Sequence, residues 1–469
     1  MQAILDFLTG PLNTLAWMYI LLPCVFVGGL FFTIRNKGMQ FTKFGHALKN
    51  TIGKIFEKQT AGEGAVTPFQ AVTTALAATV GTGNIVGTSQ AIALGGYGAL
   101  FWLWMAALLG MIIKYSEVTL SVAYRERNER GDWVGGPMYY ILKGLGKNWK
   151  WLAIMFAALA TLASFGIGNL SQANSITGSL NNAITSFFPS AADHSGTISL
   201  IVGIVLAALT ALALFGGIKR IGRVTELLVP AMSALYIIFT LIVIGANIGN
   251  LGNAFRLIFV GAFTPQAVLG AGSGILLKET LVWGLRRSAF SNEAGLGSAA
   301  IAHAAAETKG PVEQGLYGIF EVFADTIVIC TLTGLSVIVS GIEIPFGIKP
   351  GSELITNAFA TVLGDRFASL FVAIALMLFA FSTILGWSLY GSRCVEYLFG
   401  MKATGIYQVI FIVMIVVGAT TSLDLVWDVA DTFNGLMAIP NFIALFGLSG
   451  VVTKLTKEYF AKQTPSLKQ

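Results

Sequence analysis

Long apolar stretches alternate with short polar segments along almost the whole chain. A helix that crosses the hydrocarbon core of a bilayer needs roughly 20 mostly apolar residues. By that rule the pattern predicts eleven spans, at 14–34, 67–92, 97–124, 149–187, 197–216, 224–248, 275–306, 313–341, 366–399, 404–422 and 430–455. The predicted fold class is an all-α polytopic membrane protein whose surroundings are the lipid bilayer.

The composition agrees with this prediction. Hydrophobic residues make up 55% of the 469 positions and charged residues only 11%, whereas about 25% of residues are charged in average soluble domains. The three cysteines, Cys24, Cys330 and Cys394, lie in different apolar spans, and the three histidines have no metal-ligand spacing. The sequence therefore predicts small buried thiols and no zinc-type or iron-type site.

The net charge of +6 does not indicate a nucleic-acid partner, because the basic residues are sorted by loop. The segments 35–66, 125–150 and 216–223 and the C-terminal tail are rich in lysine and arginine, whereas the intervening loops are not. The positive-inside rule therefore predicts an outside N-terminus and a cytoplasmic C-terminus. The short loops fit a prokaryotic inner membrane.

One basic segment has an amphipathic pattern. In 39–56, which reads MQFTKFGHALKNTIGKIF, basic residues are interleaved with Phe, Leu and Ile. This pattern favours a cytoplasmic helix lying in the membrane interface over a solvated loop.

Two of the predicted spans are interrupted by glycines and polar residues. The span 67–92 contains VGTGN at 80–84, and the span 275–306 contains SNEAGLGS at 291–298. These spans are the second and the seventh, so each begins a block of five. Because five is odd, the two blocks must have opposite topology. Such interruptions at corresponding positions of two halves point to the binding site of a transporter.

The domain organisation follows from this arrangement. We predict an N-terminal span and interfacial helix at 1–66, a first five-helix repeat at 67–250, an inverted second repeat at 251–457 and a cytoplasmic tail at 458–469. No soluble domain or low-complexity linker is predicted.

An interruption at membrane depth leaves backbone N–H and C=O groups that protein, water or a ligand must satisfy. The N-terminus of a half-helix suits a carboxylate, and the free carbonyls of a C-terminus suit an amine or Na⁺. Two breaks that meet can therefore bind a zwitterion and a cation. At the first break Gly83 and Gly87 form a GxxxG pair, so close helix packing is, for that stretch alone, an equal alternative.

The second break tips this balance towards unwinding, because it contains Ser291, Asn292 and the carboxylate of Glu293. Helix packing does not need a carboxylate, and an ionisable group within a span is a functional hypothesis. The alternative is a buried ion pair between Glu293 and either Arg286 or Arg287.

Two other spans carry polar residues near their centres. Ser382 and Thr383 can offer hydroxyl oxygens to Na⁺, or they can hydrogen bond to the carbonyl one turn earlier in their own helix. Asn169 and Gln172 can line a cavity, or they can hydrogen bond between helices.

Several motifs together resemble the alanine or glycine:cation symporter family. They are ALAATVGTGNIVG, GGPMYY, FGIGN, FSNEAGLGSA and TILGWSLYG, and the resemblance covers the chain from the second span to the eleventh. The resemblance implies the LeuT-type fold, with one extra helix ahead of a 5+5 inverted repeat. It also implies Na⁺-coupled uptake of alanine or glycine, in some members with H⁺.

The resemblance further implies a substrate site at the two breaks. Its residues on this sequence would be Thr82 and Gly83 at the substrate carboxylate, Gln172 from the fourth span, Phe290, Ser291, Asn292 and Glu293 from the second break, and Phe165 and Trp387 as apolar walls.

The coupling cation is assigned by a looser analogy with the LeuT-type cation site. Na⁺ would lie between the carbonyls of Ala77 and Val80 and the hydroxyls of Ser382 and Thr383. No cofactor other than this coupling ion is expected.

Two further functional classes compete with a secondary symporter. An intramembrane enzyme using Glu293 would need a nucleophile or metal motif, and neither HExxH nor G-x-S-x-G accompanies it. A channel would need repeated weak sites along a pore, and no repeated filter sequence is present. The chain also has no Walker A motif, which argues against direct use of ATP.

Overall fold

The computed structural model describes residues 6–54, 61–62, 64–269, 275–421 and 424–463. Nearly all of these residues are helical. Nine of the described helices are long and apolar enough to cross a membrane: Leu8–Arg35, Ala99–Ala123, Lys147–Phe187, Pro189–Leu214, Gly217–Ala246, Pro311–Val339, Asp365–Phe399, Met401–Thr420 and Val429–Gly447.

The other two predicted spans are each divided. The first begins with helix Pro68–Thr79, where Thr67 and Gln70 exchange side-chain and backbone hydrogen bonds in a capping box. This arrangement satisfies free N–H groups of the first turn. The chain leaves the helix at Val80 and Gly81 and is helical again over Gly83–Gly87 and Thr88–Gly95.

The second divided span consists of helix Leu277–Asn292 and helix Ala299–His303. Glu293 ends the first of them in the left-handed conformation, with φ of 55°. Gly295 and Gly297 follow with φ of 94° and 79°. Glycine has no Cβ to clash in this region, so these two positions let the chain turn between the half-helices.

Several segments predicted as loops contain short elements. A two-stranded antiparallel hairpin pairs Glu126–Arg127 with Trp133–Val134. The short helices and helical turns outside the spans are Met39–Thr42, Phe44–Thr51, Ile52–Lys54, Pro137–Tyr140, Ile141–Leu145, Ile248–Asn250, Leu251–Gly261, Pro265–Leu269 and Glu353–Leu363. Residues 39–54 of the predicted interfacial segment are thus largely helical, and residues 55–56 lie outside the described residues.

Several predicted spans differ from the helices in their bounds, and two of them illustrate this. Helix Gly217–Ala246 begins seven residues before the predicted 224, because the straight side chains of Lys219 and Arg220 lose little freedom in a helix. The predicted span 430–455 is two helices, Asp424–Gly447 and Ser449–Gln463, with a turn at Leu448. The predicted tail at 458–469 is helical as far as residue 463, and residues 464–469 lie outside the described part.

The described helices pack around two groups of buried apolar side chains. One group includes Trp17, Phe156, Trp387, Phe411 and Phe442, and the other includes Tyr236, Phe359, Phe371 and Phe379. Other large apolar residues are exposed on the outer helices, among them Leu200, Ile201, Ile204, Leu212, Ile238, Ile406, Val409 and Val413. Extensive exposed apolar surface of this kind fits contact with lipid.

Candidate functional site

A cavity of about 650 Å³ reaches the first break. Thr82 and Gly83 of the first break line it, together with Phe290 from the helix that precedes the second break. The remaining lining residues are Thr9, Asn13, Thr14, Val86, Gly87, Gln90, Asn174, Ser175, Gly178, Ser179, Asn182, Trp283, Arg286, Arg287, Lys349, Pro350, Gly351, Ser352, Glu353, Leu376 and Asp431. Most of these side chains are polar.

Hydrogen bonds within the first break and to Gln172 fix the position of the break. The Gly81 N–H donates to Asn84 Oδ1 at 2.8 Å. Thr82 donates its hydroxyl to Gln172 Oε1 at 3.2 Å, and Gln172 Nε2 donates to the Ile167 carbonyl at 2.9 Å. The structure therefore brings together Thr82 and Gln172, which lie 90 residues apart in sequence.

The predicted cation ligands meet beside the first break. Ser382 donates its hydroxyl to the Ala77 carbonyl at 3.2 Å and to the Phe379 carbonyl at 2.8 Å. Thr383 donates to the Phe379 carbonyl at 3.0 Å. A Cβ on Gly81 would lie only 2.4 Å from Thr383 Oγ1, so the break and this helix are in close contact. Bonding within the helix and contact with the first break therefore occur together.

The second break is bound by side chains from elsewhere in the protein. Glu293 is buried, and Trp387 Nε1 donates to its Oε1 at 3.0 Å. Ser298 donates its hydroxyl to the other oxygen, Oε2. Arg286 instead pairs with Asp431 and donates to Asn13 at 2.9 Å. The alternative of an ion pair between Glu293 and Arg286 was wrong, because Asp431 is the partner of Arg286.

Asp325 links the two breaks, and the sequence analysis missed it. Asn84 Nδ2 donates to Asp325 Oδ1 at 2.7 Å, and the Ser291 hydroxyl donates to Oδ2 at 2.9 Å. Thr326 also donates to Oδ2, at 2.7 Å, and accepts a bond from Asn292 Nδ2 at 3.0 Å. One buried carboxylate thus receives a donor from each break.

A second group of buried ionisable residues was also missed. Lys114 Nζ lies 3.4 Å from Glu321 Oε1, and His303 Nε2 lies 3.0 Å from Glu321 Oε2. Glu117, one turn after Lys114, accepts the Gly295 N–H at 2.9 Å. Every one of these side chains is fully buried in the described structure. A signal was present, because ionisable residues within apolar spans are rare and functional.

The predicted substrate residues fall into three sets. Thr82, Gly83 and Phe290 line the cavity, and Gln172 is hydrogen bonded to the lining residue Thr82. The side chains behind the lining are those of Ser291, Asn292, Glu293 and Trp387. Phe165 lies apart from the lining residues and packs on Tyr407 and Phe411, with ring centroids 5.1 and 5.9 Å away.

Charged side chains form ion pairs near the C-terminal end of helix Asp365–Phe399. Arg393 contacts Asp132 at 3.1 Å and Glu396 at 2.6 Å. Arg393 lies 17 residues beyond the cavity-lining Leu376, which is about 25 Å along a helix. Leu376 therefore lines the cavity in the N-terminal half of this helix, while charged contacts join neighbouring elements near its C-terminal end.

Comparison with known proteins identifies relatives over nearly the full length. A family model described as the sodium:alanine symporter family matches residues 1–469. The chain is 43% identical over 456 residues to the sodium/alanine symporter AgcS of Methanococcus maripaludis, covering 96% of each chain. It is 38% identical to a protein of Bacillus subtilis named as a probable sodium/glutamine symporter, GlnT, covering 98% of this chain and 91% of that one.

A solved structure has the same fold. MhsT in complex with L-phenylalanine matches with a TM-score of 0.58 at 15% identity, covering 86% of this chain and 99% of that one. At this identity the likeness shows the fold alone, which is that of the LeuT-type transporters.

Proposed function

Because the chain belongs to the sodium:alanine symporter family, we propose that it couples inward Na⁺ movement to the uptake of a small neutral amino acid, alanine or glycine. Family membership makes the protein a transporter and not an enzyme, and it supports Na⁺-coupled amino-acid symport. The small substrate and the two breaks as its binding site belong to the proposal.

The observation that carries the proposal is the position of the first break at the cavity. Thr82 and Gly83 line the cavity at the point where a half-helix begins, and N–H groups at a helix N-terminus favour a carboxylate. We place the substrate carboxylate there, with Gln172 holding the Thr82 hydroxyl. Phe290 forms an apolar wall against a small side chain.

The second break and Trp387 shape the site in this proposal. Ser291, Asn292 and Glu293 lie next to Phe290 in sequence and are fixed by bonds to buried partners. The ring of Trp387 is held by Glu293, and a Cβ on Gly168 would lie 2.2 Å from Trp387 Cβ. In this proposal Trp387 is a rigid residue behind the cavity lining, and its lack of freedom limits the size of the substrate side chain.

Na⁺ is placed between the first interrupted helix and helix Asp365–Phe399. The Ala77 carbonyl and the Ser382 hydroxyl are already adjacent, and the Thr383 hydroxyl lies against Gly81, the residue that follows Val80. Carbonyl and hydroxyl oxygens are suitable ligands for a hard cation such as Na⁺. Binding the ion here would stabilise the first break and so favour substrate binding beside it.

We further propose that transport proceeds by alternating access in a fold of eleven spans with a 5+5 inverted repeat. The cavity at the first break and the ion pairs of Arg393 near the C-terminal end of its helix support an outward-open conformation. In this proposal the protein lies in the inner membrane of a prokaryotic cell. Its N-terminus is outside and its C-terminus is in the cytoplasm.

The test is uptake of radiolabelled alanine into proteoliposomes under an inward Na⁺ gradient. Glycine, D-alanine, serine, glutamine and leucine serve as competitors, and we expect the small amino acids to compete and leucine not to. Thr82→Ile should abolish uptake while the protein remains folded, because the larger apolar side chain replaces a cavity-lining hydroxyl.

Three results would contradict the proposal. Equal uptake with and without the Na⁺ gradient would show that uptake is not coupled to Na⁺. Equilibration without accumulation would indicate a channel. Stronger competition by glutamine than by glycine or alanine would move the substrate class towards that named for the Bacillus subtilis relative.

A further inference from the structure

We propose that Glu117 is a proton-binding site whose proton is carried across the membrane together with the substrate. The inference rests on the proposed function, because a proton can be coupled only to a chain that transports. It concerns a residue outside the cavity and outside the predicted Na⁺ site, and it assigns a specific carboxyl group to a coupled proton.

The hydrogen bonds of Glu117 are unequal at its two oxygens. Oε1 accepts the Gly295 N–H at 2.9 Å and Asn441 Nδ2 at 2.6 Å. Oε2 is buried and has no hydrogen-bond partner within the described part of the chain. A buried carboxylate oxygen without a donor is costly when ionised, and protonation removes that charge.

The ionisable groups around Glu117 carry more negative than positive charge, which favours the binding of a proton. Lys114 supplies one ammonium group, while Glu117, Glu293 and Glu321 supply three carboxylates within its electrostatic range. Lys114 Nζ lies 3.4 Å from Glu321 Oε1, so the charges of these two groups compensate each other. Both oxygens of Glu293 accept bonds, from Ser298 and Trp387.

The titratable and charged groups facing Glu117 come from four elements. Lys114 lies on its own helix, Glu321 on helix Pro311–Val322 and Tyr140 on the segment Pro137–Tyr140, while Glu293 at the second break acts electrostatically on Lys114. Only Lys114 among these four carries a positive charge, and even a protonated His303, whose Nε2 lies 3.0 Å from Glu321, would leave one of the three carboxylates without a compensating charge. Burying an excess of negative charge at membrane depth is unfavourable, so one carboxyl group is best occupied by a proton.

A proton fits this site better than Na⁺. The Lys114 ammonium is already within range of the carboxylates, and a second fixed cation beside it would be repelled. The described residues contain no group of three or more His, Cys, Asp or Glu side chains arranged to hold a metal ion. A proton needs only one oxygen, and Oε2 offers it.

Coupling follows from the other oxygen of the same carboxyl group. Oε1 holds the N–H of Gly295, and Asn441 Nδ2 donates both to that oxygen and to the Gly295 carbonyl at 2.8 Å. An ionised carboxylate is a stronger acceptor than a protonated one. Protonation therefore weakens the hold on Gly295, which links the proton to the conformation of the second break.

The transfer step is simple and balanced. A hydronium ion on the outer side loses one O–H bond and becomes water, and its proton forms an O–H bond at Glu117 Oε2. After the conformational change this bond breaks, and the proton binds a water molecule on the cytoplasmic side to form hydronium. Each cycle moves one proton and one positive charge inward in addition to Na⁺, and no other bond changes.

The experiment uses the full chain in proteoliposomes that contain a pH-sensitive dye, with the membrane potential clamped. Alanine is added outside under an inward Na⁺ gradient, and lumen pH and radiolabelled alanine are followed together. We expect alanine to acidify the lumen with the wild type. Glu117→Gln should still accumulate alanine with Na⁺ but should give no acidification, because Gln mimics the protonated carboxyl group.

A second measurement distinguishes the loss of a titrating group at position 117 from a change in the shape of the side chain. In the wild type, one linked proton should change the alanine concentration for half-maximal uptake by up to about tenfold per pH unit, and in Glu117→Gln this dependence should disappear. Glu117→Asp retains a carboxyl group and should still move protons. Glu458→Gln removes an exposed carboxylate, whose weak partner Lys454 lies 4.0 Å away, and should behave like the wild type.

The outcomes distinguish the two proposals. Na⁺-driven accumulation of alanine without acidification by the wild type would overturn the proton site and leave the proposed function intact. Acidification by Glu117→Gln equal to that of the wild type would overturn the assignment to Glu117. No accumulation by the wild type would overturn the proposed function, and the proton site with it. The wild-type measurement needs no variant, so it decides even if Glu117→Gln does not fold.

Discussion

The two breaks differ in what surrounds their backbone. At the first break, Thr82 and Gly83 line the cavity, and the Gly81 N–H is satisfied by its neighbour Asn84. At the second break, both backbone groups of Gly295 are bonded to buried side chains that belong to other helices. The first break faces the cavity, whereas the second is enclosed by protein.

This difference teaches that similar interruptions in a sequence need not have similar roles. Free backbone groups beside a cavity can bind a ligand. Backbone groups already bonded to protein set the shape of a site and transmit changes in it. We therefore expect variants at the first break to change ligand affinity, and variants at the second to change stability and coupling.

The largest effect is expected from Glu293→Ala at the second break. It leaves the Trp387 indole N–H and the Ser298 hydroxyl buried without their acceptor. Each unsatisfied buried donor costs about 1–3 kcal/mol, so the free energy of unfolding should fall by roughly 2–6 kcal/mol. Thermal unfolding of the purified protein, followed in detergent with Na⁺ present, measures this loss.

The control compares the two breaks directly. Glu293→Gln keeps one carbonyl oxygen as an acceptor and should lose less stability than Glu293→Ala. Thr82→Val at the first break removes one hydroxyl that donates to Gln172, and it should lower substrate affinity with little change in the unfolding temperature. Equal unfolding temperatures for Glu293→Ala and the wild type would show that the second break does not depend on its carboxylate.

An intermediate effect is expected for the pair Ser382→Ala and Thr383→Ala beside the first break. The double variant removes two candidate oxygen ligands of Na⁺ at the contact with Ala77. Loss of about 1.4 kcal/mol of ion binding corresponds to tenfold in affinity, so the Na⁺ concentration for half-maximal uptake should rise roughly tenfold. Uptake at saturating Na⁺ should be largely restored.

A serine on the same helix provides the matched control. Ser388 donates its hydroxyl to the Leu385 carbonyl at 2.7 Å, within its own helix. Ser388→Ala should leave the Na⁺ dependence unchanged. If the double variant at 382 and 383 gives the wild-type Na⁺ dependence, these hydroxyls serve only to bond within the helix and the cation site lies elsewhere.

The positions of the breaks could be predicted because they violate the rule for a membrane helix locally. Glycine and polar residues in an apolar stretch, as at 80–84 and 291–298, are visible without any knowledge of tertiary contacts. The start of the first interrupted helix is likewise local, since Thr67 and Gln70 are three residues apart. Local chemistry therefore located both half-helix junctions.

The partners of the breaks could not be predicted, because they come from distant parts of the chain. Glu117 and Gly295 are 178 residues apart, and Asn84 and Asp325 are 241 apart. Asp325 and Glu117 are visible as ionisable residues in apolar spans, yet their sequence positions do not say which group they bind. Phe165 illustrates the converse, because an aromatic residue near a glycine-rich stretch packs equally well on other aromatic rings, here that of Tyr407.

The smallest effect is expected from Gly87→Ala, which tests whether the first break is a packing feature. A Cβ at Gly87 would have Arg287 Cδ as its nearest atom, at 3.7 Å, an ordinary contact. A Cβ at Gly81 would instead lie 2.4 Å from Thr383 Oγ1. Gly87→Ala should therefore change uptake by less than about twofold and stability by about 0.5 kcal/mol or less, whereas Gly81→Ala should impair Na⁺-dependent uptake. If Gly87→Ala is the more damaging of the two, close helix packing through the GxxxG pair explains these glycines better than a backbone left free for a ligand.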